Sequence, residues 1–177
     1  MRAYQNDSYA QRYRDRLAQF SAALPAAHAD ALTEVAAKAL FKLMAFKDEY
    51  EVARLHRDPA FAEMLAQEFE PGFKINYHMA PPIVSLRKDA RGRPVKRAFG
   101  AWFTPVLATL SKLRPLRGTA LDVFSYTRER REEVALIRWY EALLAELPAK
   151  TCETTVETVQ NLLALPMDIR GYGPVKH

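Results

Sequence analysis

The chain has 177 residues, a net charge of +5 and 49% hydrophobic residues. That is globular composition, and it excludes disordered or collagen-like character for the bulk of the chain. One cysteine, Cys152, excludes an internal disulfide and any four-cysteine metal or iron–sulfur site. The longest charge-free stretch, Ala98 to Ser111, has 14 residues and contains Gly100 and Pro105, which is too short to span a bilayer. Met1 to Tyr13 is polar and carries no apolar signal core, so a reducing, cytoplasmic compartment is expected.

In chain order, Tyr9, Tyr13, Leu17 and Phe20 recur at helical spacing and predict a helix over Asn6 to Leu24, with Pro25 ending it. Leu32, Val35, Ala36, Ala39, Leu40, Leu43, Phe46 and Tyr50 trace one apolar stripe, which predicts a single long helix from His28 to His56. Asp58-Pro59 predicts a new helix start, an oxygen acceptor followed by a preset φ; that helix carries Phe61, Leu65 and Phe69 and stops near Pro71-Gly72. The period then changes. Phe73, Ile75, Tyr77 and Met79 alternate with polar residues, Ile83 to Leu86 reads as a return strand, and Val95 to Phe99 as a third short strand. Phe103 to Leu113 predicts a short helix with Pro105 in its first turn, followed by a loop from Arg114 to Ser125.

Thr127 is the predicted N-cap of a strong helix. Its apolar face carries Leu136, Ile137, Tyr140, Leu143, Leu144 and Leu147, and its polar face carries Arg130, Arg131, Glu133, Arg138 and Glu141. Thr151 opens the last predicted helix, through Val156, Val159, Leu162 and Leu163 to Pro166. The fold class is therefore mainly α, bundle-like, with a small antiparallel β insertion around residues 73–99. The chain reads as one domain over 1–177, with 167–177 as an extended tail.

Charge is concentrated. Between Leu86 and Arg117 there are nine basic residues and one acid, Asp89. Arg87, Lys88, Arg91, Arg93, Lys96 and Arg97 form its densest part. Such a segment is either a solvated basic loop or a surface for an anionic partner. The aromatics Phe99, Trp102 and Phe103 cluster at one end and do not interleave with the cations, which argues against a single-stranded nucleic-acid platform. The segment Lys47-Asp48-Glu49-Tyr50-Glu51, with Arg54 one helical turn beyond Glu51, reads as an ion-pair network for packing. Cys152 stands at the start of a predicted helix, where the dipole lowers a thiol pKa, but single cysteines commonly serve as small core residues. The histidines His28, His56, His78 and His177 form no His-x-x-x-His pair, and no metal-ligand spacing occurs. No nucleotide-binding glycine motif occurs, and Gly171-Tyr172-Gly173 follows no predicted strand.

Four stretches carry a resemblance. They are Leu43-Met44-Ala45-Phe46-Lys47-Asp48-Glu49-Tyr50-Glu51-Val52-Ala53-Arg54-Leu55; Phe73 through Tyr77-His78-Met79-Ala80-Pro81-Pro82; Leu116-Arg117-Gly118-Thr119 with Phe124-Ser125-Tyr126-Thr127; and Ile169-Arg170-Gly171-Tyr172-Gly173-Pro174-Val175-Lys176. In this order they resemble the C-terminal region of the long, fused bacterial indolepyruvate ferredoxin oxidoreductases, a 2-oxoacid:ferredoxin oxidoreductase family, over roughly Ala31 to Lys176. Pro174 stands where that pattern carries a histidine, so no role of that histidine transfers. The resemblance implies a parent enzyme that oxidatively decarboxylates arylpyruvates to aryl-acetyl-CoA, using thiamine diphosphate, magnesium and iron–sulfur clusters and passing electrons to ferredoxin. This chain has no Gly-Asp-Gly turn for thiamine diphosphate and a single cysteine, so no catalytic, cofactor or metal residue is expected in it. It reads as a terminal accessory segment apart from its catalytic domains. Its expected partners are those domains, and its basic segment is a docking surface for acidic ferredoxin or for CoA. A homodimer through an apolar patch and a free-standing basic binding module are the alternatives. No membrane partner is expected.

Overall fold

The computed structural model describes residues 1–79 and 95–169. In chain order its helices are α1 (Asp7–Ala23), α2 (Ala26–Met44), α3 (Glu49–Leu55), α4 (Pro59–Glu68), α5 (Thr104–Lys112), α6 (Arg128–Glu146) and α7 (Val156–Ala164). Its strands are β1 (Tyr77–Met79) and β2 (Arg97–Phe99). The architecture is mainly α with a small antiparallel ribbon, as the periodicity predicts. Composition suggested one domain; the chain groups into two compact units, Met1–Phe46 with Ser125–His177, and Lys47–Phe124.

In the first unit, α1 starts where Asn6 accepts the Tyr9 amide hydrogen at 2.8 Å. Phe20, Leu32, Leu40, Met44, Ile137, Leu144 and Leu163 are buried in one apolar core. Tyrosines finish what aliphatics cannot. Tyr4 and Tyr9 hydroxyls donate to the carbonyls of Phe46 and Met44, satisfying groups that the end of α2 leaves without helical partners. Tyr140, fully buried on α6, donates to the Leu163 carbonyl at 2.8 Å; burial holds its hydroxyl well above the ordinary tyrosine pKa. Lys42 donates to the carbonyls of Met167 and Ile169.

The predicted apolar face of α6 is confirmed. Its predicted polar face needs one correction. Arg130 is buried, with its guanidinium 4.9 Å from the centre of the Phe46 ring, so a cation–π contact keeps it inside. Glu141 stays on the polar side and is clasped by both Arg12 nitrogens at 2.8 Å. The last helix begins at Val156, four residues later than Thr151 would open it. Thr151 instead donates to the Leu147 carbonyl, and Thr155 to the Lys150 carbonyl, so threonine hydroxyls fold this stretch into turns. Met167 and Asp168, assigned to a tail, belong to a 3-10 turn over Leu165–Asp168. The rest of the tail, 170–177, lies outside the described residues, including Gly171-Tyr172-Gly173.

In the second unit, Ala53, Tyr77, Phe99, Phe103 and Leu107 form a small core. Phe99 and Phe103 stack at 4.5 Å. The ribbon pairs Tyr77 with Phe99, His78 with Ala98 and Met79 with Arg97. It is shorter than the alternation from Phe73 and from Val95 predicts. Phe73 stays exposed against Phe69, so the alternating pattern there finds no buried face to occupy. The predicted return strand Ile83–Leu86 lies outside the described residues.

Changing Tyr140 to Phe should lower unfolding free energy by about 1–2 kcal/mol, because the buried Leu163 carbonyl loses its donor. Urea denaturation followed by circular dichroism measures it. Trp139→Ala, on the half-exposed neighbour, should change stability by about 0.5 kcal/mol or less.

Candidate functional site

The long helix predicted over His28–His56 is two helices, and the reason is Asp48. Its carboxylate Oδ1 accepts the Glu51 amide hydrogen at 2.8 Å and so starts α3 afresh. The same carboxylate receives Arg117 in a two-pronged pair, Nε to Oδ2 at 2.6 Å and Nη2 to Oδ1 at 2.9 Å. Both side chains are almost entirely out of water, 3% exposed for Asp48 and 4% for Arg117. The parallel fork fixes orientation as well as charge.

A second carboxylate sits in the same unit. Asp122 is fully buried. Its Oδ1 accepts the Tyr50 hydroxyl at 3.0 Å and the Phe124 amide at 3.1 Å, and its Oδ2 accepts the Gly118 amide at 2.9 Å. Gly118 has φ +76, the left-handed conformation that a glycine adopts without steric cost. Tyr50 joins the two carboxylates. Its ring lies 5.6 Å from the Arg117 guanidinium and edge-on to Phe124 at 5.3 Å. Arg54 clasps Glu51 at 2.7 and 2.8 Å at the margin of this cluster and reaches Asp58 at 3.3 Å. The Glu51 bond holds the Arg54 guanidinium above its ordinary pKa.

Of the predicted packing residues, the structure brings together Asp48, Tyr50, Glu51 and Arg54. Glu49 occupies the first turn of α3. Lys47 is exposed and makes none of these contacts; its charge, after burial, depresses the pKa of His56. Sequence reading counted Arg117 only as part of the basic segment and did not single out Asp122. The available signal for Asp122 was a carboxylate set among Leu121, Val123 and Phe124, where a solvated loop would carry more polar neighbours.

Of the basic segment, Lys96 and Arg97 are exposed. Arg87, Lys88, Arg91 and Arg93 lie outside the described residues. Cys152 precedes α7 by a turn. It is exposed, with its sulfur 3.2 Å from the Thr154 hydroxyl and 3.3 Å from that of Thr155. Those hydroxyls, Thr154 first, bring the thiol down to about 7; a helix dipole is not the cause. His28 faces Glu153 at 3.0 Å, His56 packs edge-on against Phe61 and Tyr77, and His78 is exposed on β1. Among the described residues, no group of three or more His, Cys, Asp or Glu side chains is placed to hold a metal ion. These residues do not fit an iron–sulfur cluster or a thiamine diphosphate–magnesium site. Among the same residues, no helix is long and apolar enough to cross a membrane.

Residues 1–177 match the model of a family of unknown function, DUF6537. The chain belongs to this family. Comparison with curated proteins and with solved structures gave no match. The match covers both compact units, so the buried network lies within the extent of the family and not in an appendage to it.

Two outcomes test the site. Arg117→Ala should cost about 3–5 kcal/mol, because it strands the Asp48 carboxylate without its partner. The double variant Asp48→Asn/Arg117→Met should lose less than the two single losses combined, as a double-mutant cycle in urea reads. Separately, iodoacetamide alkylation of Cys152 should rise with pH and reach half its maximal rate near pH 7, since the depressed pKa places thiolate above that value. Thr154→Ala with Thr155→Ala should move the midpoint up toward the ordinary thiol range.

Proposed function

We propose that this chain is a non-catalytic accessory domain of an indolepyruvate ferredoxin oxidoreductase-like enzyme, acting in the cytoplasm by packing against the catalytic domains. The parent would decarboxylate arylpyruvates oxidatively to aryl-acetyl-CoA, and its thiamine diphosphate, magnesium and iron–sulfur clusters would sit in segments other than this one. One observation carries the reading. Two of the four stretches that bear the resemblance meet in one buried network, with Asp48 and Tyr50 from the first and Arg117, Gly118 and Phe124 from the third. Their polar groups are spent on one another, which favours an architectural role for these stretches over a chemical one. The exposed Lys96 and Arg97 are where acidic ferredoxin or CoA phosphates would be drawn. They also support the second reading, a basic module for nucleic acid or another anionic partner.

Co-expression with the catalytic domains of such an enzyme from the same source tests the proposal. The chain should co-purify with them in a defined ratio, and alone it should show no arylpyruvate-dependent reduction of ferredoxin. Failure to associate, together with low-salt binding of labelled single-stranded RNA that weakens steeply with salt, would replace it with the second reading.

A further inference from the structure

Between Pro115 and Phe124 the chain has two charged residues, Arg117 and Asp122, and both are turned inward. The two neighbours of Asp122 point the other way: Leu121 is 71% exposed and Val123 60%. A single exposed leucine is ordinary. A buried carboxylate between two exposed aliphatics is an alternation with its sign reversed. It is also locked. Turning Leu121 and Val123 inward would pull Asp122 away from the Tyr50 hydroxyl and from the amides of Gly118 and Phe124. Thr119 adds a brace, donating from its hydroxyl to the Leu116 carbonyl at 2.7 Å, while its own carbonyl accepts the Asp122 amide at 3.1 Å.

The outer side of this loop, Gly118 to Leu121 with Val123, carries no charge on a chain whose net charge is +5. Charge depletion around exposed aliphatics is the composition of an interface core, and the loop's conformation is fixed before any partner arrives, which removes an ordering cost. We infer that Gly118–Val123 is a docking knob whose Leu121 and Val123 insert into an uncharged, apolar pocket on the catalytic domains, an inference that rests on the accessory-domain reading above. Acidic ferredoxin and CoA phosphates find no cation on this face to pair with. Two copies meeting knob to knob would bury far less than the roughly 800 Å² per partner of a stable interface.

Sedimentation velocity on the purified chain mixed with the catalytic domains, at low and high salt, is the test. Wild-type association should change little with salt. Leu121→Asp/Val123→Asp should weaken it by about tenfold or more, Leu121→Met should retain it, and the unfolding midpoint of the isolated chain should stay the same in both variants. If wild type binds and the double aspartate variant binds equally well, the knob is refuted while the accessory reading stands. If wild type does not bind, both fall. Wild-type self-association that the double variant abolishes would assign the knob to a second copy and overturn its pairing with the catalytic domains.

Discussion

Asp48 and Arg117 are separated by 69 residues in sequence and meet with both side chains almost wholly removed from water. Stripping water from two such charges costs several kcal/mol each, and the pair repays that only with good geometry and with its remaining bonding positions filled. Here both conditions hold. The guanidinium fork matches the carboxylate, and the spare capacity of Asp48 goes to the amide that starts α3. One carboxylate therefore ends the continuity of α2 and α3 and ties α3 to the loop after α5. Tyr50 extends the tie to Asp122, 72 residues away, and Asp122 in turn sets the course of Gly118 to Phe124.

That economy bears on function. The residues most suggestive of chemistry in the sequence, the acidic run at Asp48–Glu51 and the arginines that answer it, bond to one another and to backbone amides. What the inserted unit offers outward is a different set: Lys96 and Arg97 near the ribbon, and Leu121 and Val123 on the braced loop. The cations suit a salt-dependent encounter with an anion, and the aliphatics suit a dry, lasting contact. A domain that assembles an enzyme needs the second kind.

Much of the helical part was legible because its signals are local. Asn6, Asp58 and Thr127 each cap the helix that follows them, and each can be recognised from the few residues beyond it. The apolar stripe of α6 was legible for the same reason. The break at Asp48 was not. Periodicity runs straight through it from Leu43 to Tyr50, and the force that interrupts the helix comes from Arg117, which no local window contains. Arg130 misled in the opposite direction: an arginine on a charged face reads as solvated, and only the Phe46 ring explains its burial. At the site, Glu51 and Arg54 paired as helical spacing implies, while Lys47, on the same predicted face, did not join them because α3 begins after it. Asp122 escaped notice because its role is set by a tyrosine hydroxyl and two amides, none of which leaves a mark in its own neighbourhood.

Amide hydrogen exchange by NMR tests the central claim most directly. The claim is that two buried carboxylates organise the Lys47–Phe124 unit. The amides of Glu51, Gly118 and Phe124 donate to those carboxylates, so they should exchange far more slowly than amides of an open loop, and Tyr50→Phe should speed Gly118 and Phe124 while leaving the amides of α6 as they were. Exchange of Gly118 and Phe124 at unprotected rates in the wild-type chain would contradict the account.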